Sequence, residues 1–349
     1  IVILGKAPIN KCAAASLNTA DCEVVVEGST TAIMGGATPA DNSGRLNFVR
    51  VEYAGNTIFK DNELNGITFG GVGSGTEVDY IQVHNNYDDC VEFFGGTVNV
   101  KHLVCTNAGD DNIDIDYGYQ GKIQFAVVKQ NVGAGDHIVE SDNTNSDTRA
   151  GVVYLTEPRS NPIVANFTFI SRGHDEVFKL KEGVSGQYYN GVAAVLNAAS
   201  GLSKGCIETT YTAQTIADGA TTPNFSFNSV AFDCPSFVTV DSETAGGKTA
   251  SDVETIVKSG SNNLYGANSG GGSYVNNLGK EVNSSGDLVY SGNGVAINGP
   301  TETAATVTAI PSTYNADGFF DTTTHIGAVS GATDDWYKVW TVPGSIKLN

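Results

Sequence analysis

The sequence predicts an all-β protein, a right-handed parallel β-helix whose coils stack into a solenoid and whose C-terminal part is irregular and rich in loops. Three observations carry the prediction. The composition favours strands and turns over helices: 42 Gly, one Met and 16 % charged residues in 349, with abundant Asn, Thr, Ser and Val. An acidic turn recurs in VDYIQVHNNYDDCVEFFGGT from Val78, VKHLVCTNAGDDNIDIDYGYQG from Val100 and FAVVKQNVGAGDHIVESDN from Phe125. Within each unit, apolar residues alternate before the turn and a second short apolar run follows it. Asp89, Asp111 and Asp136 align 22 and 25 residues apart, with Val91, Ile113 and Ile138 two residues after each. A period near 22 suits one coil of a β-helix.

Taken in order, the elements agree with this plan. IVILG at the start reads as a buried strand, so a further N-terminal part is expected before Ile1 to cap the first rung. LNFVRVEYAG from Leu46 reads as the long strand of an early rung, and IVANFTFISRGHDEVFKL from Ile163 as a later one. In the unit between them, Val78 and Tyr80 alternate ahead of the facing pair Ile81 and Val83, and Cys90 to Phe94 form the second strand. Leucine-rich repeats have a similar period but need leucines and an asparagine ladder at fixed spacing. A β-sandwich would not place one acidic turn at the same phase of successive units.

Residues 1–235 are therefore assigned to the rungs, and 236–349 to a loop-rich continuation and C-terminal cap of the same solenoid. From Ser236 to Pro311 the strands thin out to SFVTV and DLVYSG, with one helix expected near Ser251 to Lys258. The aromatic segment from Phe319 through Trp336 and Trp340 is expected to fold back over the last rung.

The formal charge is −19, from 38 acidic and 19 basic residues, which disfavours nucleic acid and anionic lipid as partners and favours cations. The apolar runs are strand-sized, so no transmembrane segment is expected. Six cysteines without a zinc-type spacing point to disulfides and an oxidising, extracellular setting. Six cysteines allow 15 connectivities; proximity favours Cys12 with Cys22, Cys90 with Cys105, and Cys206 with Cys234.

The acidic turns carry the principal candidate chemistry. Neighbouring rungs lie roughly 4.8 Å apart, so equivalent turn residues form columns. Asp88, Asp89, Asp110, Asp111 and Asp136 would share one edge, with Glu92, Asp114, Asp116, Glu140 and Asp142 just beyond. Crowded carboxylates must be protonated, screened or bridged, and Ca²⁺ with its six to eight oxygen ligands would relieve the crowding. The competing reading is that these side chains cap turn amides without metal. DNTNSD, from Asp142 to Asp147, matches a calcium loop in composition only.

An enzymatic reading needs either a lysine or arginine base beside the cation, for which Arg172, His174, Lys179 and Lys181 are available, or two carboxylates at glycosidase spacing, which any acidic ladder supplies. Lys179 and Lys181 read equally as solvated or ion-paired residues, and no catalytic residue is assigned. His84, His102, His137, His174 and His325 show no metal spacing and read as satisfied surface histidines, His84 and His102 on neighbouring rungs. The Gly70 to Gly75 string lacks a phosphate-loop lysine and reads as turns. The sequons at Asn166, Asn224 and Asn283 are expected by chance in such a composition.

IVILGKAPIN, DNSGRLNFVRVEYAG, the long stretch from ELNGITFGG to VKHLV, and SNPIVANFTFI resemble a group of secreted or lipid-anchored proteins of marine Gammaproteobacteria and Bacteroidetes with a pectate-lyase-like β-helix. The resemblance covers roughly residues 1–185, with TDDWYKVWT similar to the group's C-terminus. It implies the β-helix fold and export, extends to S-layer-like surface proteins, and brings no catalytic residues. Where the group has glycine after the Asp pair, this chain has Cys90, a departure that favours a local disulfide with Cys105. The expectation is an extracellular structural protein, an S-layer, matrix or filament component that self-associates with Ca²⁺ bridging acidic turns. The alternative is a β-helix that binds or degrades surface polysaccharide, as lyase or glycoside hydrolase.

Overall fold

The computed structural model describes residues 1–59, 62–144, 154–172, 175–195, 205–210, 225–240, 249–266, 304–330 and 334–346. Among them, DLVYSG, His174, Asn224, Asn283 and the second half of DNTNSD do not fall.

Two parallel eight-stranded sheets form the walls of a parallel β-helix. One is built of short strands: Val2–Leu4, Ile67–Gly70, Val91–Phe94, Ile113–Asp116, Val139–Ser141, Phe178–Leu180, Gly205–Thr209 and Ser236–Val240. The other is built mostly of long ones: Arg45–Glu52, Glu77–His84, Asn99–Thr106, Lys122–Lys129, Ile163–Ser171, Gly186–Val195 and Phe225–Asp233, closed by Leu264–Tyr265. Short and long strands alternate along the chain, so each coil adds one strand to each sheet.

Every complete long strand breaks at one residue in the left-handed region. Phe48, Tyr80, His102, Phe125, Asn166, Asn190 and Ser229 all have φ between 49° and 60°. These residues occupy one column of the register, between Val49, Ile81, Leu103, Ala126 and Phe167 on one side and their partners two positions earlier on the other. One such residue turns the chain without ending the ladder. It also explains why Val78, Ile81 and Val83 all face inward despite an odd step between the first two: the corner at Tyr80 resets the alternation.

The interior is a stack of equivalent residues. Val78, Val100, Ile123, Val164, Tyr188 and Phe227 form one column, and Ile67, Val91, Ile113, Val139, Phe178 and Ile207 the facing one. All twelve belong to one continuous core. Gly191 is required where the Phe167 ring packs against it, since a Cβ there would lie 2.0 Å from that ring. Disulfides join Cys12 to Cys22, Cys90 to Cys105 and Cys206 to Cys234, with Cα atoms 5.5, 6.0 and 5.4 Å apart.

The opening strand pairs on one side with Ile67–Gly70, with Val2 exposed and Ile3 and Leu4 half-buried. The expectation for the cap changes. The last rung is covered by the helix Ala250–Lys258, which begins on a reciprocal Thr249–Asp252 capping box and buries Val253 and Val257 in the core. The aromatic C-terminal segment does not cover that rung. Residues 304–346, where described, run back along the outer face of the long-strand sheet as a strap.

The strap is held by polar side chains that project outward from the sheet. Ser229 donates to Thr306 O (2.6 Å) and Asn190 to Thr308 O (3.0 Å). Asn166 donates to Thr323 Oγ1 (3.0 Å) and His325 O (3.1 Å). Gln124 exchanges two 2.9 Å bonds with the Asp321 backbone, and Gln82 accepts from Val342 N at 2.7 Å. At the early rungs the corner residues Phe48, Tyr80, His102 and Phe125 stack at 4.5, 4.2 and 5.1 Å, with Trp336 and Trp340 edge-on to the pile. Asn166 is fully buried beneath the strap, so its sequon is inaccessible in the folded protein.

Candidate functional site

The outer face of the short-strand sheet carries the acidic columns. Pairing places Thr68, Glu92, Asp114, Glu140, Lys179 and Glu208 in one outward row. Asp116 and Asp142 stand two positions beyond Asp114 and Glu140, on adjacent rungs. The register differs from the expected one by a single residue in the third unit. Val139, not Ile138, pairs with Ile113, so the equivalent of Asp111 is His137, and Asp136 lies beside Asp110. The reason is that Ile138 and Val139 are both apolar and both buried, and the strand takes its phase from the longer loop before them.

The predicted residues converge, with two exceptions. Asp88, Asp89 and Asp110 bring one oxygen each within 4.8 Å of the others, as do Asp89, Glu92 and Asp114, and again Asp110, Asp111 and Asp136. Among the described residues, Asp116 and Asp142 join no such group. Asp142 instead pairs with Lys181 at 3.2 Å. Turn capping coexists with clustering: Asp89 Oδ1 accepts from Asp111 N (2.9 Å), Asp111 Oδ1 from His137 N (2.5 Å), and Asp116 Oδ1 from Tyr117 N (2.6 Å). Each of these carboxylates keeps a second oxygen.

The protonation pattern records the crowding. Burial, then the neighbouring Asp110, push Asp88 up to about 7. Burial and Asp114 hold both Asp89 and Glu92 well above the carboxylate range. Burial and Glu140 push Asp111 up to about 7 and raise Asp114 and Asp110. Burial also carries Asp116 to about 7, against the Tyr117 amide, and raises Asp136 and Asp142. Ionising all of these groups together therefore requires a compensating cation.

Two lysines supply positive charge at one end of the face. Lys179 and Lys181 each lie 3.1 Å from Glu140 Oε1. Burial opposes the charge on Glu140, but Lys181 and Lys179 outweigh it and bring that carboxyl down to about 2. In return both ammonium groups are held above their ordinary range despite burial. These lysines are thus ion-pair partners, one of the two roles the sequence allowed them.

The sequence reading missed a second grouping on the later rungs. His137, Asp175, Glu176 and Glu208 place ligand-type atoms within 4.8 Å of one another. His137 is 1 % exposed and not a surface histidine; His84, also buried, bonds Thr106 Oγ1 at 2.7 Å and lies four positions along the strand from the level of His102. The available signal was the Asp-Glu pair 175–176, which occupies the rung positions of Asp136 and His137 once the register is corrected.

Beside the acidic face, the strand Val24–Val25 and the hairpin Asn56–Phe59 with Asn62–Leu64 form a wall. Glu63 N donates to Glu27 Oε1 at 3.2 Å and Gly28 N to Asn62 Oδ1 at 2.8 Å, which ties these two pieces together. Lys11, Val26, Glu27, Asn62 and Tyr117 line an open pocket there, with the Lys11 ammonium 4.3 Å from the Tyr117 ring centre and Phe94 stacked on Tyr117 at 5.0 Å. Among the described residues, no helix is long and apolar enough to cross a membrane.

No curated protein and no solved structure matches the chain significantly. A family model described as the pectate-lyase-like β-helix domain matches residues 1–281. With repeat, paired sheets and family match in agreement, the chain belongs to the pectate-lyase-like β-helix family.

Proposed function

We propose that the outer face of the short-strand sheet binds Ca²⁺ and that the protein is an extracellular or cell-surface structural component, of the S-layer, matrix or filament kind, in which Ca²⁺ bridges acidic turns within and between subunits. The observation that carries this reading is the run of interlocked carboxylate groups from Asp88 to Asp136, each within 4.8 Å. Oxygens on opposite sides of one Ca²⁺ stand about 5 Å apart, given bonds of roughly 2.3–2.6 Å, so these groups fit a shared hard cation without rearrangement of the sheet. Three disulfides suit an oxidising compartment.

The test combines calorimetric Ca²⁺ titration of chelator-treated protein with electron microscopy of the purified protein and of native cell surfaces. Saturable binding lost in Asp114→Asn, together with arrays or filaments that dissolve in chelator, is the expected result. A protein that binds no Ca²⁺, or that stays monomeric when saturated, would sink the reading.

A second reading, polysaccharide recognition, is favoured by the open pocket beside the face, whose Lys11, Glu27, Ser29 and Asn62 offer polar groups to a glycan next to the acidic columns. Lys179 and Lys181 are held protonated and so are poor bases, which disfavours the lyase route. Retention on immobilised acidic glycans, lost in Lys11→Ala, would support it.

A further inference from the structure

We propose that His137, Asp175, Glu176 and Glu208 form a separate site for a first-row divalent transition-metal ion, of the Zn²⁺ class, distinct from the oxygen-only carboxylate groups of the earlier rungs. The proposal goes beyond the Ca²⁺ reading and does not depend on it.

Three features carry the proposal. The first is the spacing around His137 Nε2, which lies 3.6 Å from Asp175 Oδ1 and 3.8 Å from Glu208 Oε2. These distances are too long for hydrogen bonds. They approach the edge of a Zn²⁺ coordination tetrahedron, about 3.4 Å for bonds of roughly 2.0–2.1 Å. His137 is almost completely buried, and Nε2 has no hydrogen-bond partner. A buried nitrogen aimed between two carboxylates without bonding either is a ligand set drawn back from a common centre.

The second is the support behind the histidine. Its other nitrogen, Nδ1, lies 3.1 Å from Asp111 Oδ1. That carboxylate fixes the ring and the tautomer so that Nε2 presents its lone pair, the arrangement metal-binding histidines generally have behind them. Asp111 is itself held by the column, since its Oδ1 also accepts from His137 N.

The third is Glu176. Its Oε1 accepts from Thr239 Oγ1 at 2.9 Å and Gly205 N at 3.3 Å, which orients the carboxylate. Its Oε2 is buried without a hydrogen-bond partner. Glu176 is 2 % exposed, so this oxygen has little access to solvent.

The donor set selects the ion. Ca²⁺ and Mg²⁺ prefer oxygen, whereas an imidazole among carboxylates suits Zn²⁺ and its neighbours.

The test uses the full chain, stripped with chelator, dialysed and titrated with Zn²⁺ in saturating Ca²⁺, with Co²⁺ as a spectroscopic substitute. We expect a Zn²⁺ site that Ca²⁺ does not compete away, and Co²⁺ absorption bands of a low-coordinate nitrogen–oxygen site. Glu208→Gln should weaken Zn²⁺ on the order of tenfold or more, as should His137→Gln, and Asp111→Asn roughly tenfold to a hundredfold. Glu208 is partly exposed, so Glu208→Gln keeps the test alive if His137→Gln fails to fold. Asp114→Asn should lose Ca²⁺ and keep Zn²⁺, so failure of one reading is distinguishable from failure of the other. Absence of Zn²⁺ binding in saturating Ca²⁺, or Zn²⁺ affinity unchanged in a folded Glu208→Gln, would overturn the proposal.

Discussion

On the outer face of the long-strand sheet, the outward side chains of Gln82, Gln124, Asn166, Asn190 and Ser229 meet the strap and bond its backbone. On the outer face of the short-strand sheet, the outward side chains of Glu92, Asp114 and Glu140 meet one another across rungs. Both rows are produced by the same stacking, which repeats whatever the sequence places at one position of the coil. With amides and hydroxyls the repetition gives a polar ladder that a covering segment satisfies. With carboxylates it gives charge that no neighbouring carboxylate can satisfy. One face is thereby closed, and the carboxylates of the other are held toward their protonated form unless a cation compensates them.

The comparison can be broken most forcefully at the closed face. Asn166→Ala removes a buried amide that bonds Thr323 and His325 and places a residue with Cβ but no polar group at φ 50°. A loss of about 3 kcal/mol is expected from chemical denaturation, with Ca²⁺ affinity unchanged. An affinity change would mean that the two faces are not independent.

Next in size is Lys181→Met on the acidic face. In chelator it should destabilise the fold on the order of 2 kcal/mol, allowing for partial exposure, because Glu140 and Asp142 lose their shared partner. The same change should tighten Ca²⁺, since a competing fixed cation is gone; calorimetry reads both effects.

A smaller effect follows from pH. Asp88, Asp111 and Asp116 are raised from 3.8 to about 7, so the folded state holds protons there that the unfolded state has released. Their contribution to stability is full below about pH 4 and is lost as pH rises through 7. Metal-free protein should therefore melt a few degrees lower at pH 8 than at pH 5, and saturating Ca²⁺ should abolish the difference. Glu140, lowered to about 2, acts in the opposite sense and loses its contribution only below pH 4. A melting temperature that rises from pH 5 to pH 8 in chelator would contradict the acidic-face account.

The smallest expected effect is at the open end of the strap, where Trp340 is half-buried beside Phe48 and Tyr80. Trp340→Ala should cost about 1 kcal/mol and leave the later rungs unaffected in hydrogen exchange.

The β-helix was legible in the sequence because a coil must repeat its inward residues, and Val78, Val100 and Ile123 do so visibly. The acidic face was legible for the same reason. The register slip at His137 was not, because Ile138 and Val139 satisfy the core equally and the extra loop residue leaves no other trace. The His137 cluster was hidden behind that slip, its members being drawn from three rungs. The strap was illegible for a different reason: it follows no period, and its contacts join residues such as Asn166 and Thr323 that are 157 positions apart.

The strap also bears on how such a chain can change length. A solenoid alone gains or loses a coil easily, since each rung presents the next with the same surface. Here residues 304–346 are tied to rungs from Ser229 back to Gln82 at successive fixed points. A duplicated or deleted coil between those points would displace every later tie by one strand spacing, roughly 4.8 Å. The strap works as a ruler laid along the repeat, and insertions or deletions of whole coils should be tolerated beyond its ends and rejected beneath it.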